Sequence, residues 1–66
     1  MKNSRLLSIL MLLQARGRLS ASVLARELAV AVRTIYRDVA ALEAAGVPMI
    51  VERGAAGGFA LLDGWR

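Results

Sequence analysis

The chain has 66 residues, a formal charge of +4, and neither cysteine nor histidine. A chain this short buries only about 60% of the surface its unfolded form exposes, which allows one small domain and no deep catalytic cavity. Without cysteine or histidine it has no disulfide framework, no thiolate site and no ready metal ligand or general base, so the composition argues against an enzyme and against a metal or other cofactor.

The absence of cysteine suits a cytoplasmic protein. A pI of 11.2 favours a polyanionic partner, either nucleic acid or an anionic membrane surface. The surplus is unevenly placed: Lys2, Arg5, Arg16 and Arg18 all precede the first acidic residue, and the remaining charges sum to zero.

From Asn3 to Arg16 the chain is strongly helix-forming, with Leu6, Ile9, Leu10 and Leu13 at the i, i+3, i+4, i+7 spacing of one buried face. Asn3 or Ser4 is expected to cap its first turn, Arg16 suits the negative end of the helix dipole, and Gly17 ends it. Leu7, Met11 and Leu12 widen the apolar surface, which reads either as a broad core face or as a contact with a second subunit or a further domain. The same segment has the basic start and short apolar run of a secretory signal, but its removal would leave a remnant too small to fold comfortably. As a membrane span it falls short of the required length of about 20 residues.

Ser20 caps a second, short helix from Ala21 to Leu28, in which Leu24 and Leu28 are one turn apart and Ala25 lets another helix cross closely. Residues 29–31 form a tight connection with Val30 turned inward. A third helix runs from about Val32 to Ala45 and stops at Gly46, with Pro48 just beyond. Val32, Ile35, Val39 and Leu42 form its expected inner face, leaving Arg33, Thr34, Arg37 and Ala41 on other sides. After Pro48, "MIVER" and "FALL" are short apolar runs separated by "GAAGG", the composition of a β-hairpin in which Gly54, Gly57 and Gly58 supply positive φ angles. Trp65, in the closing "DGWR", has little left to pack against.

Helix, short helix, tight turn, longer helix and hairpin is the order of a winged helix-turn-helix: mainly α, a three-helix bundle plus a two-stranded wing, spanning residues 1–66. Such a fold puts one helix in the major groove of double-stranded DNA, braces it with the preceding helix, and extends the hairpin over adjacent phosphates. Arg33 and Arg37, at i and i+4, point to one groove wall, where the arginine fork can grip guanine or phosphate bidentately. Thr34 beside them can donate to a phosphate or set its methyl against thymine. Tyr36 either sends its hydroxyl to a phosphate, with its ring on the second helix, or simply packs. Asp38 reads as a brace for Arg37, Arg33 or another cation, with an ordinary solvated charge as the alternative. Arg16 and Arg18 are phosphate contacts or solvated charges near a helix end, and Arg53 is a phosphate contact or a charge guarding a strand edge.

Other motifs carry less. "GAAGG" lacks the lysine and following helix of a P-loop, and Glu27, Asp38, Glu43, Glu52 and Asp63 show no spacing that pairs two carboxylates for acid/base work. A winged helix used for protein interaction or dimerisation, with the apolar first helix as its working surface, is the alternative to DNA binding.

Over essentially the whole chain, and most tellingly from residue 27 onward, the sequence resembles the N-terminal winged-helix domain of bacterial WYL-domain transcriptional regulators, and more loosely the DeoR-type repressors. "RTIYRDV" at 33–39, "LEAAGVP" at 42–48 and "GGFALLDGWR" from 57 carry the resemblance. It implies a DNA-binding domain whose third helix presents Arg33, Thr34, Tyr36 and Arg37 to an operator, a homodimer or larger oligomer, and a ligand-sensing domain after Arg66. The effector of that domain is not legible from these residues. Three positions depart from the family pattern. Ala31 stands where a capping serine is usual, a change that typically costs about 1 kcal/mol. Ala29 replaces a glycine or polar residue in the turn, and Ala55 and Ala56 replace basic residues at the wing tip.

Overall fold

In a computed structural model, the protein is described over residues 2–52 and 57–62, with side chains from Ser4 onward. Three helices precede one hairpin: α1 (Lys2–Arg16), α2 (Ala21–Leu28), α3 (Val32–Ala44), β1 (Met49–Glu52) and β2 (Gly58–Leu61). This is the expected mainly helical architecture, consistent with a winged helix-turn-helix. Among the described residues, no helix is long and apolar enough to cross a membrane.

The apolar spacing of α1 puts Ile9 and Leu13 in the core, with Leu6 and Leu10 packed at its margin. The helix already includes Asn3 and Ser4, so neither is the cap expected from the sequence. Inside the helix, the Ser4 carbonyl instead accepts a hydrogen bond from the Ser8 hydroxyl at 2.9 Å. Gly17 turns the chain with φ +82° while its N–H donates to the Leu13 carbonyl at 2.8 Å. The Ser20 hydroxyl then accepts the Val23 N–H at 3.1 Å, satisfying one of the orphan donors that open α2.

Leu24 and Ala25 of α2 are buried, and the small Ala25 lets α3 cross closely. Ala29 adopts a left-handed conformation (φ 58°, ψ 44°), and its N–H closes onto the carbonyls of Ala25 and Arg26. Ala31 is the cap residue of α3 and contributes no side-chain hydrogen bond. The inward side of α3 carries Ile35, Asp38, Val39 and Leu42. Val32, expected on that face, is instead 41% exposed. It sits in the first turn, at the rim of a cleft shared with Ser20, Ala21, Ser22, Tyr36, Gly57 and Gly58, where no layer of the described residues covers it.

β1 and β2 pair antiparallel in the register Met49↔Leu61, Ile50↔Ala60, Val51↔Phe59 and Glu52↔Gly58. The α1–α2 linker joins them: Leu19 and Phe59 exchange both backbone hydrogen bonds, at 3.0 and 2.8 Å. Phe59, at 1% exposure, drives its ring into the helical core. Gly58 does not supply the positive φ expected of it. Its place on β2 requires glycine for another reason, because a Cβ there would stand 2.7 Å from the Leu19 carbonyl oxygen. Gly54, Ala55, Ala56 and Trp65 lie outside the described residues.

Candidate nucleic-acid interface

α3 divides its side chains by chemistry. While Ile35, Val39 and Leu42 enter the core, Arg33 and Arg37 stand exposed one turn apart, with Thr34 half-buried beside them. Neither arginine forms an ion pair with any described residue. Both guanidinium forks therefore remain available for bidentate contact with an anion or a base edge. Tyr36 is half-buried, and its ring meets that of Phe59 edge-on, with centroids 5.3 Å apart and planes at 75°. The sequence leaves two roles for Tyr36, a hydroxyl on a phosphate with the ring on the second helix, or simple packing. The ring packs against the wing strand and borders the cleft at the start of α2.

Asp38 acts as a brace for a cation outside α3. Of the partners the sequence leaves open for it, Arg37, Arg33 or another cation, the structure selects the last: at 7% exposure Asp38 turns inward to a cation of another helix and is not a solvated charge. The Arg5 guanidinium reaches over from α1, Nε donating to Oδ2 and Nη2 to Oδ1 at 3.2 Å. The hydrogen bond to Asp38 raises the Arg5 pKa above its ordinary value; desolvation opposes that rise and the Asp38 charge adds to it. Arg5 consequently stays charged at any pH the fold survives.

The flanking cations are also partnered. Arg18 pairs with Glu52 of β1, and Arg16 lies 3.5 Å from Glu27 of α2. Such exposed pairs contribute little to stability and exchange readily for other anions. Arg53 lies outside the described residues.

With this geometry in view, the family model described as HTH domain matches residues 5–59. The chain belongs to the HTH domain family. The match begins at Arg5, which holds α3, and ends at Phe59, which completes the core beneath it. The chain is also similar to an uncharacterized HTH-type transcriptional regulator, YobV, of Bacillus subtilis (strain 168), with 38% identity over 66 residues. That alignment covers 100% of this chain and 21% of the relative, so the chain spans about a fifth of that protein's length. No solved structure matches.

Two residues of this HTH domain escaped sequence reasoning. Arg5 counted only toward the basic surplus, although the signal for its role was present: Asp38 falls on the helical repeat of Ile35, Val39 and Leu42, and a carboxylate on a buried stripe requires a cation. Arg26, exposed on α2 and without an ion pair among the described residues, is a further cation that no motif singled out.

Proposed function

We propose that the chain is the sequence-specific, double-stranded-DNA-binding domain of a bacterial transcription regulator, a binding module rather than an enzyme, with α3 as the helix that enters the major groove. The observation that carries this reading is that Arg33 and Arg37 stand exposed on one face of α3 without an ion pair among the described residues, while the carboxylate next to Arg37 is turned inward and paired with Arg5. The +4 charge, the absence of histidine and cysteine, and membership of the HTH domain family support it. Thr34 stands beside the arginines as a further contact. Tyr36, Arg18 and Arg53 are assigned to the phosphates around the groove, Arg18 by exchanging Glu52 for DNA.

The motifs "RTIYRDV", "LEAAGVP" and "GGFALLDGWR" favour a WYL-type regulator acting in the cytoplasm, and the greater length of the Bacillus relative leaves room for a sensing domain. Homodimerisation through α1 is part of the proposal, supported by Leu7 at 57% and Met11 at 59% exposure. That apolar face also supports the second reading, a protein-interaction module.

Salt separates the two. Binding of the chain to a duplex that it selects from a randomised library, followed by fluorescence anisotropy, should fall with log salt at a slope of about 0.9 per neutralised phosphate. Apolar association should not. Replacing Arg37 by alanine should weaken the selected duplex by about 1 to 3 kcal/mol if its contact is to a base edge. Unchanged affinity would remove Arg37 from the interface, and failure of the chain to retain any duplex would favour the interaction module.

A further inference from the structure

We propose that Arg5 is a positioning residue for DNA reading: from α1 its fork grips Asp38 and fixes the rotation of α3 about its own axis, so that Arg33 and Arg37 meet the bases in register. This inference rests on the DNA-binding reading above. Its basis is the two-point contact of Nε with Oδ2 and Nη2 with Oδ1, made by an acidic side chain buried within the apolar stripe of α3.

An aliphatic residue at position 38 would continue the stripe of Ile35, Val39 and Leu42; replacing even a fully buried ion pair by apolar residues is often neutral or stabilising, and here the Arg5 side chain keeps 40% of its surface exposed. Core stability alone is therefore a poor reason for a carboxylate here. A planar fork on a carboxylate supplies something aliphatic packing lacks, which is direction. The side chains of α3 lie on a cylinder about 10 to 12 Å across, so a rotation of about 20° carries an outer group by about 2 Å. Hydrogen bonds to base edges tolerate only about half an ångström, so a turn that packing alone would allow is enough to lose them. The same contact disposes of a charge. Asp38 adjoins Arg37, and a carboxylate left outward on this helix would repel the phosphates that flank the groove.

The test separates orientation from charge. The double variant R5Q/D38N removes the ion pair and keeps the net charge, and R5K keeps a cation without the fork. Each is measured against two duplexes of equal length, one selected by the wild-type chain from a randomised library and one of random sequence, with urea unfolding giving the folded fraction. The double variant should hold the random duplex within about twofold, because that binding follows charge. It should lose at least about tenfold of its preference for the selected duplex, because that preference follows base contacts. R5K should lose about threefold. A preference within twofold of wild type in the folded double variant would overturn the proposal and leave the pair a structural contact. Should the double variant fail to fold, R5K decides by the same criterion. A wild-type chain that prefers no duplex would instead overturn the DNA-binding reading, and this inference with it.

Discussion

The two turns that separate the helices solve the same problem with different residues. Between α1 and α2 the left-handed position is Gly17 and the cap is Ser20, whereas between α2 and α3 the corresponding residues are Ala29 and Ala31. Glycine accepts positive φ without steric conflict, and serine replaces one of the hydrogen bonds missing from a helix start. Alanine does neither. The chain thus supports the start of α2 well and that of α3, its proposed reading helix, poorly, so the second turn holds its shape through what packs around it. Val30 packs against the core there, and its N–H donates to the Ala25 carbonyl at 3.0 Å.

Exchanging residues between the turns should expose this difference. The largest effect is expected at Gly17, whose φ of +82° lies outside the small left-handed basin open to other residues. A Cβ there would touch nothing within 4 Å, so Gly17→Ala measures backbone cost alone, about 1 to 2 kcal/mol lost in urea unfolding. Next come the two caps, with opposite signs. Removing the hydroxyl with Ser20→Ala should cost about 1 kcal/mol, and adding one with Ala31→Ser should gain a similar amount. The same midpoint for wild type and Ala31→Ser would mean that the α3 start is already satisfied in another way. The smallest effect belongs to Ala29→Gly. Its φ of 58° and ψ of 44° sit near the middle of the permitted basin, so relief of strain should raise stability by only about 0.5 kcal/mol.

These contrasts also show what the sequence made legible. Glycine, serine and helical spacing act locally, which is why the limits of α2 and the stops at Gly17 and Gly46 can be read directly, and why Ala29 and Ala31 stand out as departures. The inward face of α3 was legible at Ile35, Val39 and Leu42 for the same reason. It was misread at Val32 because periodicity says which side a residue faces and not whether another layer covers it. Asp38 and Arg5 are 33 positions apart in the chain, and no local rule links them. Gly58 looked like a turn residue because glycines cluster there, while its actual constraint is the Leu19 carbonyl, far away in sequence. Arg33 and Arg37 were recognisable as a pair from their spacing alone, and the structure adds that both are unencumbered by ion pairs among the described residues.

The seam between Leu19 and Phe59 bears on how the molecule comes into being. Phe59 fills the centre of a core otherwise lined by helices that precede it, and its backbone is tied to a linker made much earlier in translation. Until residue 59 has left the ribosome, the three helices enclose a hole the size of a phenyl ring, and in so small a domain such a gap is worth about 3 to 5 kcal/mol, a large part of total stability. Cooperative closure must therefore wait for the hairpin, and a nascent chain that ends before it should remain open to proteases.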